Sequence, residues 1–240
     1  PEQKTHREVK KPQISGRHLA DYMAASERGG RSIVRNCKYQ PIARVVQHDE
    51  AKAIIAKFIR DGDENVAAIR ERANEIRGRL ADSDFDRDLF DHNADYIDRF
   101  ADIAAKLALP DAELLAPGKS AALNLKGVKV TADIHFRLRR LTKTNKIRIG
   151  AGMLRYAKGK TLPRTIAEWQ SAFLFGYMNL NPGEEAADAE HKLCITVDAY
   201  EGTCYPAPTD SARRFQNMVA ACETIAEWWP NIPPPPNAVL

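Results

Sequence analysis

The chain has 240 residues, 44% of them hydrophobic and 28% charged, and a formal net charge of +4, an ordinary composition for a globular protein with room for a sizeable core. No run of about 18 apolar residues occurs and no apolar stretch follows the charged start, so neither a spanning helix nor a secretory signal is predicted. The expectation is a cytoplasmic protein without a membrane partner. Four cysteines, Cys37, Cys194, Cys204 and Cys222, form no C-x-x-C pair, which excludes a zinc ribbon or a redox dithiol and predicts reduced, mostly buried thiols.

Residues 1–13 read as a polar, mobile tail. Ser15 can cap a helix through "GRHLADYMAAS", and "HDEAKAIIAKFIRDG" predicts a second helix stopped at Gly62. A third follows in "DENVAAIRERANEIRGRL", where Val66, Ile69, Ala73, Ile76 and Leu80 recur at helical spacing. A fourth, "DRDLFDHNADYIDRFADIAAKLAL", carries an apolar stripe with its aspartates on the wet face and breaks at Pro110. Residues 14–109 are thus predicted as a helical region, and "PDAELLAPGKS" as a linker.

From 120 to 229 the period changes from 3.6 to 2. "VKVTADIHFRLRRL" predicts one strand, with Val128, Val130, Ala132, Ile134, Phe136 and Leu138 on one side. Lys129, Thr131, Asp133, His135, Arg137 and Arg139 then share the polar side, His135 as a surface residue. "TKTN" turns the chain into a second strand, "KIRIGAGMLRYA", in which Gly150 and Gly152 mark a bulge or a close backbone approach. Thr165 and Glu168 form a capping box for a helix that ends at Asn181. Its aromatics, Trp169, Phe173, Phe175 and Tyr177, are spaced as core residues. Short strands in "KLCITVDAY" and "TCYPAP" precede a last helix, "DSARRFQNMVAACETIAEWW", and residues 230–240 form a proline-rich tail. The predicted fold class is α/β (α+β), a helical N-terminal part followed by a mixed sheet core flanked by helices.

Charge is unevenly placed. No acidic residue occurs between Ile134 and Ala167, where Arg137, Arg139, Arg140, Lys143, Lys146, Arg148, Arg155, Lys158, Lys160 and Arg164 stand. A second acid-free run contains Arg28, Arg31, Arg35, Lys38 and Arg44. Such concentrations suit a polyanion. "GKT" at Gly159 to Thr161 matches the end of a nucleotide-phosphate loop, but Leu154 stands at the first glycine position and Pro163 delays the helix, which excludes an ATP-binding loop. His191 and Cys194 lack a second ligand pair for a metal.

The order helix, strand, strand, helix, strand over residues 85–208 resembles the core of the PD-(D/E)XK nuclease superfamily, particularly its RecB-like members. The resemblance implies a restriction-endonuclease-like fold in which an aspartate on the second core strand and an (E/D)-x-K on the third hold a divalent metal. Asp133 stands at the aspartate position, while Ala151, Met153 and Arg155 occupy the candidate acid and lysine positions. Gln170 and Tyr177 match the RecB-like Q-x-x-x-Y helix only in part, being seven residues apart. One carboxylate cannot hold magnesium for hydrolysis. The resemblance therefore implies a nucleic-acid-binding protein with an inactive nuclease-like core, without a cofactor, perched on a DNA or RNA phosphate backbone through Arg137, Arg139, Arg140, Lys143, Lys146, Arg148, Arg155, Lys158 and Lys160, within a DNA-processing assembly. An active magnesium-dependent nuclease would need Asp133 as a catalytic ligand, with Glu168 or Asp198 as a migrated acid and Lys158 as a migrated lysine. A third expectation is an interaction scaffold whose acidic helix and basic hairpin meet complementary protein partners.

Overall fold

The computed structural model describes residues 4–43 and 46–240. β1 (His6–Glu8) and β2 (Gln13–Ser15) lead into α1 (Gly16–Ala24), whose first turn is capped by Ser15 accepting from the His18 amide. Ser26 caps α2 (Glu27–Lys38) in the same way through the Gly29 amide, and β3 (Tyr39–Pro41) follows. α3 (Asp49–Asp61) ends at Gly62 in the left-handed region, α4 (Val66–Arg77) is capped by Asn65, and α5 (Asp84–Ile103) by Ser83.

The strands then come in quick succession: β4 (Glu113–Leu115), β5 (Leu123–Leu125), β6 (Val128–Thr131), β7 (Phe136–Leu141) and β8 (Ile147–Arg155). α6 (Arg164–Leu180), β9 (Ala187–Ala189), β10 (Ile195–Asp198), β11 (Thr203–Pro206) and α7 (Ser211–Trp228) complete the order. The main sheet runs β11-β10-β8-β7-β4, with β9 added beside β8. β8 and β10 are parallel, whereas β7 and β11 run against them and β4 runs against β7. A smaller sheet, β2-β6-β5, and the pair β1-β3 lie outside it.

Helices cover both faces of the main sheet, so the chain is an α/β protein with a mixed sheet. On one face Ile55, Ile76, Ile97 and Phe100 of α3 to α5 pack on Phe136, Leu138, Leu154 and Val197. On the other, Leu19, Val34, Phe173, Tyr177 and Phe215 close over Ile149, Ala151 and Met153. Residues from both 14–109 and 120–229 contribute to each layer. Arg70 and Arg77 of α4 pair with Asp95, Asp98 and Asp102 of α5. Such partly exposed pairs contribute about 0.2–1 kcal/mol each, against roughly 1.5–3 kcal/mol for a buried Ile or Phe. The apolar stripe therefore holds α5 in place, and the ion pairs set its polar face.

Several elements differ from expectation. The predicted linker holds β4, a three-residue edge strand of the main sheet. The acid-free run after Arg28 is largely α2, and its Arg44 lies outside the described residues, as do Pro1 to Gln3 of the predicted tail. Leu80 is 91% exposed and outside α4. The stretch from Val128 to Leu141 is two strands in two different sheets, broken at Ala132 to His135. Asp133 therefore lies in a connector rather than in mid-strand, and His135 is buried. No capping box forms: α6 begins at Arg164 after Pro163, without a side-chain cap, and Glu168 pairs with Arg164. Among the described residues both ends are tied to the fold. β1 pairs with β3, and the Thr5 and His6 amides donate to the Val239 carbonyl. Lys38, buried, donates to the Trp229 and Ile232 carbonyls, and the Trp229 indole donates to the Val9 carbonyl.

Candidate functional site

The parallel register of β8 and β10 sets Arg155 beside Asp198 at the carboxyl ends of the two strands, the edge at which open α/β sheets tend to bind ligands. Arg155 is 8% exposed. Its guanidinium donates to Asp21 of α1 at 2.6 Å and to Gln170 of α6 at 3.1 Å, so two helices from different parts of the chain fix one cation. Burial lowers the Arg155 pKa from its ordinary value, and Asp21 opposes that shift.

Asp198 is buried, and its carboxylate is fully used. Oδ2 accepts from the Leu162 amide at 2.8 Å, and Oδ1 from the Tyr200 and Glu201 amides at 2.9 and 3.3 Å. These bonds pin the loop after β8, which turns at Gly159 with φ +72. The loop walls a pocket of about 220 Å³ lined by Arg17, Arg155, Tyr156, Lys160, Leu162 and Pro163. α6 begins at the same wall, and its uncapped first turn leaves backbone N–H groups and the positive end of the helix dipole there.

Beside the pocket lies a second cluster. The Asp133 carboxylate is 3.4 Å from the His135 imidazole and 3.5 Å from the Lys52 ammonium. His135 Nδ1 accepts from the Leu154 amide, which leaves Nε2 as the nitrogen facing Asp133. The His135 imidazole first, and then Lys52, hold the Asp133 carboxyl down to about 2 against its partial burial. Tyr96 is wholly buried and stacks on Tyr156 at 4.1 Å, with His48 edge-on to both rings. Burial raises the Tyr96 hydroxyl, which has no hydrogen-bond partner among the described residues.

The residues singled out from sequence are distributed as follows. Asp133, Arg155, Lys160 and Asp198 come to this end of the sheet. Glu168 does not join them, being tied to Arg164 and to Arg214 of α7, and Lys158 pairs with Asp95. The hairpin is not an open basic face. Arg139 pairs with Glu184 and Glu113, Arg140 with Glu190 and Arg148 with Asp188, while Arg137 donates to the Pro117 carbonyl. The acidic stretch from Glu184 to Glu190 thus folds back and neutralises it. Lys143, Lys146 and Lys160 carry no ion pair among the described residues.

A magnesium ion does not suit this donor set. Asp198 has both carboxylate oxygens engaged by three amides and Asp133 Oδ2 faces Lys52 and His135, so the two acids do not present a pair of free carboxylates to one metal. Among the described residues no three His, Cys, Asp or Glu side chains form a metal-holding group. His191 instead stacks on Phe175 at 4.1 Å, and Cys194 is buried.

Sequence reasoning missed Arg17, Asp21, His48, Lys52, Tyr96 and Tyr156. Arg17 alone left a local signal: a cation in the first turn of α1 opposes the helix dipole, a choice that local stability does not explain. Neither protein-family models nor curated proteins give a match to this chain. Among the described residues no helix is long and apolar enough to cross a membrane.

Burial and then Arg17 depress the His18 imidazole; burial, then Lys52, His92 and Arg17, depress His48. Groups depressed in the folded state take up protons more readily in the unfolded chain. Their contribution to stability is therefore complete above the ordinary histidine value of 6.5 and is lost as the pH falls through it. Asp133 adds a separate loss on acidification below its ordinary 3.8 toward about 2. The urea midpoint is expected to fall between about pH 7.5 and about pH 5.5, and His48→Gln to flatten that fall. A midpoint constant over that range would contradict the lowered affinity of these rings for protons in the folded state.

Proposed function

We propose that the protein binds DNA or RNA through a nuclease-like core that no longer cleaves it. One observation carries the reading: the sequence α5, β4, β7, β8, α6, β10 builds a sheet ordered β4-β7-β8-β10 in which β7 alone is reversed. With β5, β6 and β9 set aside as insertions, this order resembles that of the PD-(D/E)XK core and supports the reading, with β4 in the place of its first strand. At the positions where an active member keeps an acid and a lysine, Ala151 and Met153 are packed into the core and Arg155 is bound to Asp21. Without a second free carboxylate beside Asp133, metal-assisted hydrolysis lacks its ligands. Affinity comes instead from cations without carboxylate partners among the described residues, Lys143 and Lys146 at the hairpin tip and Arg17 and Lys160 at the pocket, acting on phosphates with little base preference.

Fluorescence anisotropy with labelled single- and double-stranded DNA and RNA tests this. Binding at about 50 mM salt is expected, weakening steeply toward about 200 mM. Lys143→Ala with Lys146→Ala is expected to reduce the slope of log affinity against log salt by about one to two. No strand should be cut with magnesium or manganese. Failure to bind any strand would leave the protein an interaction scaffold. Cleavage abolished by Asp133→Ala would make it an active nuclease.

A further inference from the structure

We infer that the pocket between the ends of β8 and β10 receives one phosphorylated nucleotide, with its phosphate at the first turn of α6 and its base against Tyr156. Three independent features converge there. The first is charge. Arg17 and Lys160 are exposed, line the pocket and carry no ion pair among the described residues, while Arg155 is held rigid by Asp21 and Gln170. Asp198, the carboxylate in the lining, has both oxygens engaged by the Leu162, Tyr200 and Glu201 amides. It braces the wall without presenting free oxygens to an anion.

The second feature is the start of α6. A 17-residue helix begins at the pocket wall with Pro163 at its cap position and no side chain closing its first turn. Amides left open in this way bind phosphate well. The loop before it carries Gly159 and Lys160 but not the glycine-rich wrap of an ATP site, so it offers one phosphate position rather than a cradle for three.

The third is an aromatic wall. Tyr156 lines the pocket, half-buried, and is backed by the ring of Tyr96 at 4.1 Å and nearly parallel. A ring so supported gives a stacking surface that accepts any base. A volume of about 220 Å³ lies below the roughly 300 Å³ at which drug-sized pockets begin, which leaves no room for a second nucleotide unit and keeps part of the first outside the pocket. Such a unit could come from the phosphorylated end of a strand or from a free nucleoside monophosphate. The strand-end source rests on the nucleic-acid reading above.

Anisotropy with oligonucleotides of one sequence, 5′-phosphorylated, 3′-phosphorylated or unphosphorylated, separates the cases when free nucleoside monophosphates are added as competitors. A terminal phosphate is expected to raise affinity about tenfold through charge-assisted contacts. Arg17→Ala, Lys160→Ala and Tyr156→Ala are each expected to remove that advantage. Lys143→Ala with Lys146→Ala should weaken every strand alike and preserve it. Thermal melts of the variants check folding, and Arg17 and Lys160 are exposed enough to be replaced without loss of packing. Calorimetric binding of a monophosphate, lost in Arg17→Ala, with no end preference identifies a free nucleotide as the ligand. Strands bound equally well with and without a terminal phosphate, together with no monophosphate binding, overturn this inference while leaving the nucleic-acid reading intact. Binding of the monophosphate but of no strand does the reverse.

Discussion

Gly150→Ala is expected to lower stability by about 3 kcal/mol, at the upper end of what overpacking costs. A Cβ built at this position would lie 2.0 Å from the Leu193 carbonyl oxygen and 2.2 Å from its carbonyl carbon. Those are backbone atoms of a short 3-10 turn, His191–Leu193, which is closed by the Leu193 amide on the Glu190 carbonyl. No side chain can swing aside, so relief requires moving the turn or bending β8. Gly127→Ala is the informative control. There φ is +86 and nothing lies within 4 Å, so only the left-handed backbone strain applies, about 1–2 kcal/mol. Urea denaturation of the two variants should separate them, and equal losses would mean that the turn yields easily.

Asp21→Ala is expected to cost about 3–5 kcal/mol, because it leaves a charge in the interior without its counter-ion. Among the described residues Arg155 would keep Gln170 alone as a side-chain partner, in surroundings that already disfavour its charge. Replacing both partners by apolar residues, Asp21→Leu with Arg155→Met, is expected to recover most of the loss, since the buried ion pair itself is close to neutral against a well-packed apolar pair. The double-mutant cycle gives the coupling directly. A loss below about 1 kcal/mol in Asp21→Ala would show that water reaches the guanidinium and that the pair acts as a surface bridge.

The sequence made some of these features plain and hid others for identifiable reasons. The β7-β8 hairpin was legible because Phe136 and Leu138 alternate with arginines before the polar turn at Thr142 to Asn145 and Ile147 and Ile149 flank Arg148 after it, and the turn closes there through the Thr142 amide on the Lys146 carbonyl. Helix α3 was legible from its stripe and Gly62. The alternation from Val128 to Leu138 misled because its parity survives the break: Val128 and Val130 enter one core, and Phe136 and Leu138 enter the other. Period alone cannot say which sheet a residue joins. β4 has three residues, too few for any period, and α2 depends on Ser26 and on close packing at Gly30 rather than on a long apolar stripe. At the site, Asp133 and Asp198 could be singled out as acids near strands, but their partners could not. Asp21 reaches Arg155 across 134 residues, and the carboxylates that quench the hairpin lie 40 to 50 residues after the arginines they pair with.

The parallel pairing of β2 with β6 joins residues 13–15 to residues 129–131, and it bears on the order in which the molecule assembles. The β7-β8 and β10-β11 hairpins close over a few residues and can form early. β2 must wait for a loop of more than a hundred residues to close, at an entropic cost that only native packing offsets. α1 follows β2 directly, so Arg17 and Asp21 reach the sheet edge with it. Arg155 therefore gains its counter-ion only through contacts distant in sequence. The pocket that Arg17 and Arg155 line is complete only when the N-terminal segment is docked, so its walls report whether that long-range pairing has formed.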